Sequence, residues 1–360
     1  MRFMKISKYL DSKMGFYYNK IVMEDMQRLS SVINIDKLKN NTIMITGATG
    51  MLATYMVFFL SYINRNFHTN IRIIAVCRNK KKADILFSDF YNEQWFCLIN
   101  QDVCDKIKYE GDVDYIIHLA SNANPYHIKN TPVDIIKSNL LGSINILEYS
   151  RTKKIKKVLF ASTREVYGKN EDKEFLSEND YGIVDPLEMR ACYPESKRAA
   201  ETIFQAYNVQ YGIPFNIVRI AHSYGPGMNL DNDGRVMADF MSNAVNGENI
   251  IVRSDGLAER AFCYITDTIS AMFLILIEGD MNKPYNIANE KEVISIKNLA
   301  EQLAQLSNTD VIFDIPDIKS NAYCSYQRSG LDTKELEKCG WVPLVDLKQG
   351  LELTYKSFKQ

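Results

Sequence analysis

The chain has 360 residues, of which 46% are hydrophobic and 24% charged, and its formal net charge at pH 7 is −1. These values are typical of a globular protein with one large domain and a smaller lobe. The near-neutral charge gives no indication of a nucleic acid or an anionic membrane as partner, and no apolar run reaches the roughly 20 residues of a membrane span.

The cysteines and histidines exclude two further classes of protein. Seven cysteines are scattered without Cys-x-x-Cys spacing, and the chain shows no secretory signal. We therefore expect reduced thiols and a cytoplasmic location. The four histidines are dispersed without metal-ligand spacing, so we expect no metal site.

Residues 1–40 carry mixed charge and apolar side chains at helical spacing, among them Val22, Met26 and Leu29. This pattern predicts an amphipathic helical arm that packs on the main body or on a second subunit. Nothing in the arm suggests chemistry.

The first candidate site is a glycine turn. The β-branched run 42–46 is followed at once by Gly47-Ala48-Thr49-Gly50 and then by an apolar stretch of helical length, 51–63. Strand, glycine turn and helix in this order form a phosphate cradle. Gly47 permits the tight turn, Gly50 lets the backbone approach a pyrophosphate, and Ala53 allows close helix–strand packing. The Gly-x-x-Gly-x-x-Ala spacing differs from the usual Gly-x-Gly-x-x-Gly, and a plain turn is the alternative.

The second predicted strand, 71–77, bears on the identity of the cofactor. In dinucleotide folds an Asp or Glu at the end of this strand binds the adenosine ribose 2′-hydroxyl. Here the chain continues with Arg78 and then Asn79-Lys80-Lys81-Lys82, without an acid. Because arginine fits a 2′-phosphate, the sequence favours NADP over NAD. A solvated basic loop is the alternative.

Four further runs, 94–103, 113–120, 157–161 and 215–221, predict strands that alternate with helices such as 134–149. This alternation predicts an α/β fold with a doubly wound parallel Rossmann sheet. Ligands bind such sheets beyond the carboxyl ends of the strands. The third predicted strand ends in Asp102-Val103, which suits the adenine edge. Polar residues follow other predicted strands at the same edge, namely Ser121 with Asn122, Thr163, and His222.

A Tyr193-x-x-x-Lys197 pair is the second candidate site. The residues after Pro194 favour a helix, and side chains four apart on a helix lie on one face. A phenol has a pKa near 10 and is a poor base at neutral pH, but a nearby ammonium favours the phenolate. Such a pair can take the proton of an alcohol while its hydride leaves for a nicotinamide. Alone, the pair occurs by chance in many chains.

Beyond residue 165 the chain becomes rich in loops. No regular alternation of strands and helices is predicted for residues 170–186, 223–235 and 310–341. We assign these regions to a smaller, discontinuous lobe over the crevice. The predicted division is a dinucleotide-binding domain of residues 41–165, completed by about 187–221 and 262–290, and a substrate-binding lobe of residues 166–186, 222–261 and 310–360.

Taken together, the glycine turn, Ser162-Thr163 and the Tyr193-x-x-x-Lys197 pair resemble the extended short-chain dehydrogenase/reductases, the NAD-dependent epimerases and dehydratases of nucleotide sugars. The resemblance covers about residues 40–355 and is greatest to UDP-glucuronate decarboxylases. The matching segments are 118–121, 161–168, 190–193, 197–202, 232–236, 260–262 and 340–343.

The resemblance implies a role for each site residue. Tyr193 would be the base, Lys197 its electrostatic partner and a ribose ligand, and Thr163 a hydrogen-bond donor to the developing carbonyl. Glu165, two residues along an extended segment, would act as general acid/base. The predicted cofactor-binding residues are Gly47, Gly50, Met51, Leu52, Arg78, Asp102, Val103, Ala120, Ser121, Tyr193 and Lys197. The predicted substrate-binding residues are Asn122, Arg164, His222, Arg235, Arg260 and Arg328, the last three holding the nucleotide diphosphate.

The chain departs from its relatives at two points. Dehydratases carry Thr-Asp-Glu and decarboxylases Thr-Ser-Glu where this chain has Thr163-Arg164-Glu165. Since arginine cannot protonate a leaving hydroxyl, 4,6-dehydration is disfavoured, whereas Glu165 keeps decarboxylation open. Arg164 can hold a substrate carboxylate or point into the lobe. His222 replaces an Asn-centred turn, which leaves the substrate open.

The sequence therefore predicts an enzyme that binds a nucleotide-diphosphate sugar and oxidises its C4 transiently with NAD or NADP. UDP-glucuronate decarboxylase or a sugar epimerase is the nearest activity, and the resemblance implies a homodimer. One alternative is an NADPH-dependent reductase of a nucleotide-linked keto sugar or polyol. The alternative from another class is a non-catalytic dinucleotide-binding protein, which would have no need to keep Thr163, Tyr193 and Lys197 together.

Overall fold

A computed structural model describes residues 15–170, 173–231, 233–315 and 330–359. The helices are α1 Lys20–Val32, α2 Met51–Phe67, α3 Lys80–Phe87, α4 Pro125–Asn130, α5 Pro132–Arg151, α6 Cys192–Tyr211, α7 Val236–Asn246, α8 Ile265–Ile277, α9 Ile296–Ser307, α10 Lys334–Lys338 and α11 Leu347–Lys359. The strands are β1 Thr42–Thr46, β2 Arg72–Cys77, β3 Phe96–Asn100, β4 Tyr115–His118, β5 Lys157–Thr163, β6 Phe175–Leu176, β7 Phe215–Ile220, β8 His222–Tyr224, β9 Ile250–Val252, β10 Glu259–Tyr264, β11 Pro284–Ile287, β12 Val293–Ser295, β13 Val311–Phe313 and β14 Gly330–Leu331.

Seven parallel strands form the central sheet, in the order β11-β7-β5-β4-β1-β2-β3. At its centre Met44 of β1 lies opposite Ile74 of β2 and Ile116 of β4, and all three are fully buried. Such apolar runs are expected where helices cover both faces of a parallel sheet. The strand order reverses between β1 and β4, which is where doubly wound sheets bind ligands. The predicted fold class is confirmed.

Two details of the sheet differ from the sequence prediction. β3 ends at Asn100, so Asp102 and Val103 lie in the loop after the strand and not within it. β11, Pro284–Ile287, was not predicted, because a proline and an asparagine interrupt its short apolar run. β11 is an edge strand that pairs with β7, and edge strands tolerate a proline that cannot donate to the ladder.

Short strands also form outside the central sheet, and four of them, β6, β8, β13 and β14, lie within or at the edge of regions that the sequence predicted to be rich in loops. β8 pairs in parallel with β10, which pairs antiparallel with β12. β9 pairs with β13, and β6 pairs with β14. These small sheets place His222 and Arg260 on neighbouring strands, β8 and β10, beside the end of β7.

The described part of the N-terminal arm lies on the main body. Helix α1 contacts α2, α8 and α11 through a buried apolar face that includes Val22. On that face the carboxylate of Asp25 is fully buried and accepts hydrogen bonds from Tyr55 of α2 at 3.1 Å and from Tyr264 of β10 at 2.8 Å. Arg28 pairs with the same carboxylate at 2.5 Å. The arm thus joins the helix after the glycine turn to a strand of a smaller sheet.

Among the described residues, we find no helix whose length and apolar character would suit a membrane span.

Candidate active site

A cleft of about 2730 Å³ opens at the carboxyl ends of the central strands. This volume exceeds the roughly 300–1,000 Å³ of a typical small-molecule pocket and can hold two ligands at once. Every predicted site residue lines the cleft except Arg328, which lies outside the described residues. Those lining it are Gly47, Gly50, Met51, Leu52, Arg78, Asp102, Val103, Ala120, Ser121, Asn122, Thr163, Arg164, Glu165, Tyr193, Lys197, His222, Arg235 and Arg260.

The glycine turn lies at one end of this cleft. Gly47 has a φ of +67°, and a Cβ atom at this position would lie 2.8 Å from the backbone of Ala120. Only glycine fits both the conformation and the close approach. Gly50 precedes α2 and offers no side-chain hydrogen bond to the first turn of the helix. The helix N-terminus can therefore receive an anion.

The other polar groups around the turn fit a dinucleotide. The hydroxyl oxygen of Ser121 is buried and has no hydrogen-bond partner among the described residues. Beyond β2 the exposed guanidinium of Arg78 lies 3.5 Å from the carboxylate of Asp102, which also accepts a hydrogen bond from the backbone N–H of Cys104. The cleft thus brings together a helix N-terminus behind a glycine turn, an unpartnered Ser121 hydroxyl and the Arg78–Asp102 pair, and the chemistry of these groups fits a dinucleotide.

Tyr193 and Thr163 meet across the cleft although they belong to different elements. Tyr193 lies in the first turn of α6 and Thr163 at the end of β5. The Thr163 hydroxyl lies close enough to the phenol of Tyr193 to lower the pKa of that phenol. One turn further along α6, the Nζ of Lys197 donates to the carbonyl oxygen of Ala161 at 2.7 Å. A phenol, an ammonium and a hydroxyl therefore face one cleft.

Burial dominates the protonation of the Tyr193–Lys197 pair. It raises the pKa of Tyr193 to about 12, the charge of Glu165 adds to this rise, and the Thr163 hydroxyl opposes it. Burial also lowers the pKa of Lys197 to about 7, and the negative charge of Glu201 opposes this lowering. The expected phenolate is therefore absent from the ligand-free protein at neutral pH. A positive charge bound beside the phenol would lower its pKa.

Glu165 lies in a turn, and the predicted extended segment is wrong. Residues Arg164–Tyr167 form a 3₁₀ turn because the Thr163 side chain accepts a hydrogen bond from the Glu165 backbone N–H at 3.2 Å. The Glu165 carboxylate nevertheless lines the cleft and pairs with Arg190 at 2.5 Å. Arg190 was missed as a site residue, although it begins the family-like segment 190–193 that ends at Tyr193.

Three arginines converge near His222. Burial lowers the pKa of His222 well below its usual value, and the charges of Arg260, Arg164 and Arg235 lower it further. Arg235 also forms an ion pair with Asp233, with Nη2 at 2.8 Å from Oδ2. The imidazole is therefore neutral, and the cationic end of the cleft suits phosphate or carboxylate groups.

Comparison with known proteins agrees with this geometry. Residues 43–288 match the model of the NAD dependent epimerase/dehydratase family. The chain is 34% identical over 320 residues to UDP-glucuronic acid decarboxylase 6 of Arabidopsis thaliana, covering 89% of each protein. It is 31% identical over 337 residues to UDP-glucuronic acid decarboxylase 1 of Xenopus tropicalis, covering 93% of this chain and 76% of that relative.

Solved structures show the same fold. UDP-glucuronic acid 4-epimerase of Bacillus cereus, in complex with UDP-glucuronic acid and NAD, matches with a TM-score of 0.75 at 21% identity, covering 89% of this chain and 99% of that chain. The UDP-glucose 4-epimerase of Thermotoga maritima matches with a TM-score of 0.75 at 23% identity, covering 88% and 98%. The resemblance predicted from the sequence is confirmed, and the chain belongs to the NAD-dependent epimerase/dehydratase family.

Proposed function

We propose that this protein oxidises C4 of a nucleotide-linked uronate transiently and releases its carboxylate as CO₂, as a UDP-glucuronate decarboxylase does. The convergence of Tyr193, Thr163, Lys197 and Glu165 on one cleft carries this proposal. The names of the relatives support the choice of a uronate, since both are UDP-glucuronic acid decarboxylases.

Each residue has a part in the proposed reaction. Tyr193 accepts the proton of the sugar 4-hydroxyl, while Thr163 donates a hydrogen bond to the same oxygen and Lys197 stabilises the phenolate. A bound nicotinamide cofactor supplies the hydride acceptor for this oxidation and the hydride donor for the return step. The C4 ketone receives the electron pair of the breaking bond between C5 and the carboxylate. We assign proton handling at C5 to Glu165, which Arg190 holds in place.

The arginines support an anionic substrate. Arg164 is buried where dehydratases carry an acid, and it lies close enough to His222 to lower the pKa of the imidazole. We propose that Arg164 orients the uronate carboxylate. We further propose that Arg235, Arg260 and Arg328 hold the diphosphate, and that Asn122 and His222 contact the sugar or nucleotide.

The product of the reaction with UDP-glucuronate tests the proposal. The purified protein with NAD⁺ or NADP⁺ should convert this sugar to a nucleotide that has lost the mass of CO₂, with no net change in cofactor. Mass spectrometry and nicotinamide absorbance measure the two quantities. Conversion to an isomer of equal mass would show a sugar epimerase, and absence of any reaction with UDP-linked uronates would refute the proposal.

A second candidate function is an NADPH-dependent reductase of a nucleotide-linked keto sugar or polyol. The basic segment after β2 favours it, because Arg78, Lys81 and Lys82 line the cleft and the segment 78–82 contains no acid that would bind a ribose 2′-hydroxyl. This candidate predicts that NADPH is consumed in a fixed ratio to product. The first candidate predicts that the cofactor pool stays unchanged.

We also propose that the cofactor is NADP in preference to NAD, and replacing Arg78 by Ala tests this preference. We expect the Kd of NADP⁺ to rise about tenfold or more, because a charge-assisted hydrogen bond to the 2′-phosphate is lost. The Kd of NAD⁺ should stay within about twofold, since NAD lacks this phosphate. Fluorescence titration measures both constants. A matched variant, Lys80→Ala, removes a nearby cation whose residue does not line the cleft, and an equal effect there would contradict the assignment.

We propose a dinucleotide-binding domain of residues 41–165, 187–221 and 262–290, an arm of residues 1–40, and a substrate-binding lobe of residues 166–186, 222–261 and 310–360. We also propose a homodimer through α5 and α6, which expose the apolar residues Val133, Leu141, Val209 and Tyr211. A monomer in sedimentation experiments would refute the dimer.

We propose a cytoplasmic location, where thiols stay reduced. The six described cysteines, Cys77, Cys97, Cys104, Cys192, Cys263 and Cys339, are unpaired, which supports this location. Fractionation of the native cells tests it.

A further inference from the structure

Glu201 ties helix α6 to two strands of the central sheet. Its Oε1 accepts a hydrogen bond from the Ser162 hydroxyl on β5 at 2.5 Å. Its Oε2 accepts one from Nη2 of Arg219 on β7 at 2.7 Å, and Nε of Arg219 lies 3.2 Å from Oε1. Ser162 and Arg219 are direct neighbours across the β5–β7 ladder. One carboxylate thus spans both strands from the helix.

This connection lies beside the two contacts that build the site. Tyr193, Lys197 and Glu201 follow one another at intervals of four residues, so they share one face of α6. Tyr193 meets Thr163, and Lys197 donates to the carbonyl of Ala161. Glu201 meets the residue between them, Ser162. Three successive residues of β5 therefore each contact this face of the helix.

We propose that Glu201 is a positioning residue, which with Ser162 sets the spacing between α6 and the end of β5. This inference rests on the proposed function of the site. Glu201 does not line the cleft and so acts through Ser162 and Lys197. By holding α6 against β5 it keeps Tyr193 and Thr163 in position to meet at the same sugar 4-hydroxyl, and proton transfer from that hydroxyl to Tyr193 depends steeply on this geometry.

The same carboxylate affects the charge of Lys197. The titratable group that faces Lys197 from the sheet is His118 of β4, whose pKa burial lowers to about 3, so that it stays neutral. Glu201 opposes the effect of burial on Lys197. Arg219 and Tyr167 face Glu201 in turn, and the guanidinium offsets part of its charge. Loss of the carboxylate should therefore disfavour the Lys197 ammonium.

Two variants separate the spacing from the charge. Ser162→Ala breaks the link to β5 and keeps the charge, so kcat should fall about tenfold or more while KM stays within about twofold and the pH profile is unchanged. Glu201→Gln should lower kcat likewise. Because the Lys197 ammonium is then disfavoured, the fall of kcat on the alkaline side of its pH profile should occur at lower pH. The pH dependence of the Kd for NAD(P)⁺ should shift in the same direction.

Glu195→Gln is the matched control, because it removes a carboxylate from the same helix. Glu195 pairs with Arg198 at the surface and does not line the cleft, so its kcat and pH profile should match the wild type. The proposal would be overturned if Ser162→Ala and Glu201→Gln both fold and keep the kcat and pH profile of the wild type. A lower Tm as their only change would overturn it as well. If Glu201→Gln leaves Arg219 without its partner and fails to fold, the kcat of Ser162→Ala tests the proposal. A fall of about tenfold supports it, and a wild-type kcat overturns it.

Failure of the proposed function has a different signature. If the wild type acts on no nucleotide sugar, the pH dependence of cofactor binding can still be measured for Glu201→Gln, for Glu195→Gln and for the wild type. A shift confined to Glu201→Gln would then support the link to Lys197, and an unchanged pH dependence would overturn it.

Discussion

Replacing Tyr193 by Phe is expected to lower kcat by about 10³-fold or more, because the proposed reaction then lacks its base. The ring still fills its place, so cofactor binding should be unchanged. Single-turnover nicotinamide absorbance, compared with a fluorescence titration of the cofactor, separates the two effects. The pKa of about 12 in the ligand-free protein means that activity should depend on bound positive charge to form the phenolate.

A matched variant is Tyr149→Phe. Its hydroxyl donates to the backbone oxygen of Gly111, and the residue does not line the cleft, so its kcat should equal that of the wild type. If Tyr193→Phe kept more than about a tenth of wild-type kcat, a different group would be the base.

Replacing Glu165 by Gln is expected to lower the overall rate by about 10²-fold, the size of a lost general acid/base contribution. The first hydride transfer does not require this carboxylate, so reduced nicotinamide should accumulate and become visible by absorbance. The substitution also breaks the ion pair with Arg190 at 2.5 Å. Rapid-mixing absorbance and product mass measure the two steps.

Glu165→Asp is the companion variant, because it keeps the charge but shortens the reach to Arg190. It should recover part of the lost rate. Wild-type turnover by Glu165→Gln would contradict the assignment. Bound substrate without any reduced nicotinamide would place Glu165 in the first step instead of the second.

The glycine turn and the Tyr193–Lys197 pair could be predicted because both depend on short-range geometry. The run 42–46 and Gly47 specify a strand and a tight turn within a few residues, and Gly47 has the positive φ that this turn requires. Tyr193 and Lys197 share a helical face by their spacing alone. Both motifs line the same cleft.

Other parts of the site lay beyond sequence reasoning because they join distant residues. The pairing of Arg190 with Glu165 depends on how the turn before α6 packs on the end of β5. The carboxylate of Glu201 reaches Arg219 only because β5 and β7 are neighbours. Even the local conformation at Glu165 depended on a side chain, since Thr163 accepts from its backbone N–H and closes a turn.

The sequence by itself determined strands β1 to β5 and β7 of the central sheet, the turn at Gly47 and the residue types of the site, since backbone preferences and periodicity act over a few residues. Only the tertiary structure decided that Thr163 meets Tyr193, that Asp25 joins α2 to β10, and that β11 completes the sheet. Those contacts arise from packing between segments far apart in the chain. The burial that this packing creates raises the pKa of Tyr193 and lowers that of Lys197.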